Sequence, residues 1–280
     1  MPVNKIVTKI DGVINKTINF NDLKAGLAAG SHTITVEAYN GATLISTQTK
    51  NITIVPEGAP TTGLVADYNF NETSGDLIDS VNGYNGTLFG SIARDGSKYT
   101  FNGSNTYIEI PDNDDFSFND SVGDVPFTIR VKITFDSFED GWIINKRDED
   151  TAGMQEWHLF YANGNLGFSL FDKSSITFLT KKIDSTNLTV GTPYQIVIKY
   201  DGSANTTGLK LILNKDETLA FDDGESSISG TSNSTSKVTI GRTGWNTIFY
   251  SDSKIDSIRI HKGYEWTTQE ISDDFDSIMI

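Results

Sequence analysis

The segment DSVNGYNGTLFG, residues 79–90, sets one aspartate beside two Asn-Gly pairs, Asn82-Gly83 and Asn85-Gly86. Two chemistries suit that spacing. Asn-Gly is the pair best fitted to backbone with φ > 0, so both pairs can fold the chain tightly as it enters a short apolar strand at Thr87–Phe89. Calcium takes oxygen ligands, so Asp79 and turn carbonyls could instead converge on an ion. On these residues alone Asp79 reads as either a turn residue or a metal ligand.

A second group lies in GRTGWNTIFYSD, residues 241–252, where Trp245, Phe249 and Tyr250 stand beside Asn246 and Asp252. Aromatic faces are platforms for the C–H faces of sugars, and amide or carboxylate groups exchange hydrogen bonds with hydroxyls. The alternative is that the rings cover a core edge with one polar end outward. Trp142 in GWIINK and Trp157 in EWHLFY read as core or rim packing, and Trp266 as an anchor for the closing turn. His32, His158 and His261 are isolated in sequence, with no spacing that suggests zinc or a nucleophile's base.

These groups must be held by strands. Phe127, Ile129, Val131, Ile133 and Phe135 alternate with Thr128, Arg130, Lys132 and Thr134. Tyr194–Tyr200, Leu209–Leu213, Leu166–Leu170, Val238–Ile240 and Ile258–Ile260 repeat that period of two. Such strands between Gly/Asp/Asn/Ser loops predict a two-sheet antiparallel sandwich. Thr267 and Glu270 have capping-box spacing and predict one short helix after Trp266. VPEGAPTTG, residues 55–63, reads as a linker. Residues 1–55 before it alternate as a small β-unit, with strands expected at Lys5–Ile10, Thr17–Phe20, Thr33–Tyr39, Thr43–Thr47 and Asn51–Val55.

The charge changes at the same place. The chain carries −15 overall, but residues 61–280 hold 17 Lys+Arg against 33 Asp+Glu. That field disfavours nucleic acid and anionic membrane surfaces. No apolar run reaches the ~18 residues that span a bilayer. MPVNKIVTKIDGV does not read as a secretory signal, and the absence of cysteine removes disulfides and thiolate zinc sites.

The order of motifs resembles a known family. GLVADYNFNETSGDLIDSVNGYNGTL (63–88), YTFNGSNTYIEIPD (99–112), FTIRVKITF (127–135), GWIINK (141–146), VGTPYQIVIKYDGS (190–203), LKLILNKDETLA (209–220), KVTIGR (237–242), KIDSIRIHKG (254–263) and TTQEI (267–271) resemble the successive strands of laminin-G-like, concanavalin A-like jelly rolls. The stretch GLAAGSHTITVEAYNGATLISTQTKNITIV resembles later strands of bacterial and phage immunoglobulin-like domains. The fold implied is an Ig-like β-domain over 1–55, a linker over 56–62 and a jelly roll over 63–280.

The resemblance also implies functions. Many members of the family hold a structural calcium, which carries over to Asp79 and Asp256, with Asn82 at the turn. Laminarinase-like relatives place their carboxylates as E-x-D-x-x-E. The nearest run here is AFDDGE (220–225), where Ala220 replaces the first glutamate and Gly224 interrupts the strand. The expectation is a non-enzymatic protein that binds glycans through Trp245, Asn246, Tyr250 and Asp252. An Ig-like unit joined to a laminin-G-like one resembles phage head-decoration and tail proteins. The expected role is a virion component, folded in the host cytoplasm, arrayed with copies of itself and other virion proteins. The alternative is a bacterial cell-surface adhesin or the carbohydrate-binding module of a secreted glycosidase.

Overall fold

The computed structural model describes residues 5–10, 13–15, 30–40, 43–54 and 60–276, apart from 121, 149–153, 173–176 and 244–248. The chain divides into two compact units, Met1–Ala59 with Ser272–Ile280, and Pro60–Ile271. In the first, strands β1 (Lys5–Ile10), β2 (Val13–Asn15), β3 (Gly30–Asn40) and β4 (Thr43–Ile54) form one antiparallel sheet in the order β2-β1-β3-β4. Asn40 pairs with Thr43 across the expected turn. β4 runs unbroken where two strands were expected, and Thr17–Phe20 lies outside the described residues. The sheet is one layer of the two that an immunoglobulin sandwich has.

The second unit is the two-sheet antiparallel sandwich that the period-two pattern predicts. One sheet runs β16 (Leu209–Leu213), β15 (Pro193–Tyr200), β10 (Phe127–Phe135), β19 (Asp252–Lys262), β8 (Tyr99–Asn102) and β7 (Ala93–Arg94), with β5 (Leu64–Tyr68) also on β19. The other runs β17 (Phe221–Asp222), β14 (Phe178–Asp184), β13 (Asn165–Phe171), β12 (Gln155–Ala162), β11 (Gly141–Arg147), β18 (Val238–Ile240), β9 (Tyr107–Ile110) and β6 (Thr87–Phe89). Phe127, Ile129, Val131 and Ile133 face Ile144, Trp157, Leu159 and Phe168 in one continuous core. Burying each such side chain contributes roughly 1.5–3 kcal/mol.

β10 departs from its alternation. Thr128 and Arg130, expected on a wet face, are buried as well. The segment after β19 explains the first of them. Trp266 N–H donates to Thr128 Oγ1 at 3.0 Å, and that hydroxyl donates to the Tyr264 carbonyl at 3.2 Å. Trp266 is itself fully buried, as an anchor should be. Helix α1 (Thr268–Asp276) then begins with the predicted reciprocal cap, Glu270 N–H on Thr267 Oγ1 at 3.2 Å and Thr267 N–H on Glu270 Oε2 at 2.7 Å. No helix among the described residues is long and apolar enough to cross a membrane.

One hairpin sets the register of the face that matters most. Asn163 and Gly164 have φ of 51° and 73°, the two positive values of a two-residue primed turn. It pairs His158 with Ser169 and Phe160 with Gly167.

Candidate functional site

Residues 77–86 form a loop closed by a reciprocal Leu77–Gly86 backbone pair at 2.8 and 2.9 Å. Asp79 sits inside it, 4% exposed. Its Oδ1 accepts from the N–H groups of Asp67 and Val81, and its Oδ2 from those of Asn82 and Tyr84, at 2.9–3.1 Å. Asn85 Oδ1 accepts the Asp79 N–H at 3.0 Å. A carboxylate has about four lone-pair sites, and here four amide protons fill them. The Asn82 side chain donates to the Val65 carbonyl at 2.9 Å.

Asp256 is placed differently. Lys132 pairs with Ser257 and Ile133 with Ile255, so Asp256 is the extra residue of a β-bulge. Burial pushes its carboxyl above the usual range, partly opposed by Lys98. Tyr68 of β5 pairs with Ile258 on one side and with Asp79 on the other, so β5 stands between the two aspartates. Calcium needs 6–8 oxygens at about 2.3–2.6 Å, and this donor set does not fit it. Of the two readings of Asp79, the four amide protons on its oxygens suit the turn-holding one.

The glycines of this loop also differ from expectation. Gly83 has φ of 77°, but Gly86 is not in the left-handed region. A Cβ on Gly86 would lie 2.6 Å from Ile108 Cγ2, so close packing, not turn geometry, requires glycine there.

The outer face of the eight-stranded sheet collects a different set of groups. The alternation that sends Trp157, Leu159, Phe168 and Leu170 into the core sends His158, Phe160, Ser169 and Phe171 outward. Their rings run edge to face: His158 lies 4.7 Å from Phe160 and 5.2 Å from Phe171, and Phe171 lies 5.3 Å from Phe178. Trp142 of β11 continues the strip, 6.0 Å from Phe160 and 4.9 Å from Phe249. At its far end Phe89 and Tyr107 stack in parallel at 4.6 Å, and the Arg242 guanidinium lies 3.5 Å from the Tyr107 ring centre.

Cations line this strip. Arg147 lies 5.0 Å from the Phe171 ring centre and donates to His158 Nδ1 at 2.7 Å. Burial, and then the Arg147 charge, hold His158 well below its usual pKa, so the ring is neutral and its proton sits on Nε2. Glu109 takes Lys237 on one oxygen at 2.8 Å and Arg242 on the other at 3.1 Å. Asp222 and Asp223 of the 220–225 run are ion-paired with Lys181 and Lys182.

Two depressions of about 280 Å³ each open on this face. One is lined by Arg147, His158, Phe160, Phe171, Phe178 and Lys182 among others, the second by Glu109, Arg147, Asp148 and Lys237 among others. Arg147 borders both.

Of the expected glycan residues, Trp245 and Asn246 lie outside the described residues. Among the described residues on either side of them, Arg242 covers Tyr107 and Phe249 packs on Trp142. Tyr250 approaches Tyr107 at 6.4 Å. Asp252 falls elsewhere, in β19 of the other sheet, paired with Asn102. Sequence reasoning missed Arg147, His158, Phe160 and Phe171. The available signal was apolar or aromatic residues at both parities of β12, where a single buried face explains only Trp157, Leu159 and Tyr161.

No family model and no curated protein matches this sequence. Many solved structures share its fold. A botulinum neurotoxin serotype D binding domain is similar at 15% identity and a TM-score of 0.57, over 76% of this chain and 51% of that one. A serotype D ligand-binding domain solved with N-acetylneuraminic acid is similar at 15% identity and 0.56, over 76% and 50%. A Trypanosoma rangeli sialidase in complex with 2,3-difluorosialic acid is similar at 12% identity and 0.58, over 89% and 43%. The chain spans about half the length of these structures or less. At such identities the likeness is one of fold, an all-β jelly-roll sandwich.

Proposed function

We propose that this chain is a non-enzymatic glycan-binding protein whose recognition surface is the outer face of the eight-stranded sheet. The observation that carries this reading is the strip of rings from Phe178 through Phe171, Phe160 and Trp142 to Tyr107 and Phe89, bordered by Arg147, Lys182 and Arg242. Phe160 and Phe171 are 8% and 5% exposed and back the strip, while Trp142, Tyr107, Phe89 and Phe178 are its more open rings. Tyr250 stands beside Tyr107 at one end of the strip. Phe178, 37% exposed, is the ring most open to a ligand along β14.

The setting we propose is a bacteriophage virion, as a capsid decoration or tail-fibre component. The motif resemblance of the small β-unit and the jelly roll supports it. So does the lack of cysteine, which suits folding in a reducing host cytoplasm. Single shallow sites bind weakly, and a repeated array gains ~10²–10⁴ in avidity.

A glycan array probed with wild type, Phe178→Ala and Trp245→Ala tests the site. Binding that both variants weaken is expected; no binding by any of the three ends the glycan reading. Mass spectrometry of purified virions tests the setting, and absence of this chain from the particles removes it.

A further inference from the structure

Five Asn-Gly pairs occur in the chain, and four lie wholly among the described residues: Asn82-Gly83, Asn85-Gly86, Asn102-Gly103 and Asn163-Gly164. Such a pair is open to one particular reaction, because glycine carries no Cβ to shield its backbone nitrogen. That nitrogen can attack the preceding side-chain amide when both groups are exposed and disengaged. The four pairs differ in that respect.

Three are held. Asn85 Oδ1 accepts the Asp79 N–H at 3.0 Å, and the buried Gly86 donates its N–H to the Leu77 carbonyl at 2.8 Å. Asn102 Oδ1 accepts from the Ser104 and Asn105 N–H groups, both at 3.1 Å, and Gly103 N–H donates to the Ser251 carbonyl at 3.0 Å. The Asn82 amide nitrogen, the group that would have to leave, donates to the Val65 carbonyl at 2.9 Å.

The fourth is not held in this way. Asn163 and Gly164 are exposed at the tip of the β12–β13 hairpin. Among the described residues, neither the Asn163 side chain nor the Gly164 N–H has a hydrogen-bond partner. The tip is fastened through other atoms. Asp140 Oδ1 accepts the Asn163 N–H at 2.9 Å, the Asn163 carbonyl accepts from the Asn165 side chain at 2.9 Å, and the Gly164 carbonyl accepts the Ser185 N–H at 3.0 Å. None of these bonds involves a buried residue, so the tip can open without the core.

We propose that Asn163 is a site of spontaneous deamidation, with water as co-reactant and an aspartyl or isoaspartyl residue as product. Gly164 N bonds to Asn163 Cγ and the Cγ–Nδ2 bond breaks. Nδ2 leaves as ammonia with the proton given up by Gly164, closing a cyclic imide. Water then opens the imide at either carbonyl. One opening restores the ordinary backbone with a side-chain carboxylate; the other routes the backbone through the former side chain. Both place a new carboxylate on the residue that Asp140 holds. The isoaspartyl product also lengthens a two-residue turn that pairs His158 with Ser169. The hairpin therefore loosens as the reaction proceeds, whatever ligand its outer face takes.

The full chain is incubated in mildly alkaline buffer, with a parallel sample in urea, and followed by peptide mapping and enzymatic methylation of isoaspartate. In native buffer Asn163 is expected to convert several-fold faster than Asn82, Asn85 and Asn102. In urea the four rates should converge. Asn163→Gly, which suits the same turn, should abolish the earliest product and preserve the melting temperature. Earlier conversion at any of the other three pairs overturns the assignment. So does an undiminished ranking in urea, which would make local sequence rather than the fold the selector. Converted chain, separated by ion exchange, should melt a few degrees lower; an unchanged melting temperature overturns the loosening.

Discussion

Arg147 donates to His158 Nδ1 across 2.7 Å at the centre of the aromatic strip. The contact fixes the tautomer of His158, and with burial it keeps the ring uncharged. Each holds the outer face of the eight-stranded sheet in one protonation state.

Stability should fall as the solution turns acid through the usual imidazole pKa. Below 6.5 an unfolded chain takes up protons that folded His158 refuses, so the folded state loses ground as pH drops. His261, under the other sheet with its Nδ1 on the Thr62 carbonyl at 2.8 Å, is pushed down to about 4, first by burial, and acts in the same direction. Urea melts at pH 7 and pH 5 should differ by about 2 kcal/mol per histidine. If a His158→Gln/His261→Gln variant shows an undiminished pH dependence, the two rings are not its source.

Asp79→Asn should destabilise the second unit by about 2–4 kcal/mol, since its amide turns a donor towards two N–H groups that the carboxylate now satisfies. Chelators should leave the wild-type melting temperature unchanged. A drop on chelation, restored by calcium, would show that an ion holds this loop after all.

Gly167→Ala should alter binding more than stability. The new Cβ would meet the Phe160 ring 2.4 Å away, and the ring can swing outward, taking one platform out of line. Affinity for the best ligand should fall while the melting temperature moves by only a few degrees. Gly86→Ala should show the reverse, because its clash is with Ile108 in the packed core, at about 1–3 kcal/mol.

Lys146 is fully buried on the core side of β11, its ammonium 2.6 Å from Asp112, 2.9 Å from Glu156 and bonded to the Ser234 and Ser236 carbonyls. Lys146→Met should cost about 3–5 kcal/mol because it strands a buried charge. Burial already raises the Glu156 pKa, and Lys146 opposes it. Without the lysine, part of the lost stability should return as pH falls and Glu156 takes a proton. Lys146→Met/Glu156→Leu should recover more than half of it at neutral pH, and failure to do so would mean that packing rather than charge was lost.

The sandwich was readable because single-face burial leaves a period of two, as in Phe127–Phe135, and because turn and cap chemistry is local, as in Thr267 and Glu270. The aromatic outer face was not, for two physical reasons. His158 and Phe160 alternate with Trp157 and Leu159, so rings on the outer face resemble core residues in sequence. Arg147 and Arg242 meet the strip only through strand pairing, β11 with β12 and β18 with β9, which sequence spacing does not encode. Asp79 stood out in the sequence through the two Asn-Gly pairs that follow it. Its amide partners, one of them twelve residues away at Asp67, were invisible until the loop closed.

The borders of the two sheets have a consequence for crowding. β17 and β7 are two residues long and β6 three, and β17 is clipped to its neighbour by Lys181–Asp222 and Lys182–Asp223. Stubs of that length give another molecule almost no backbone to zip onto. At these three borders a neighbouring molecule finds almost no strand to extend, whereas the fourth, β16, runs five residues.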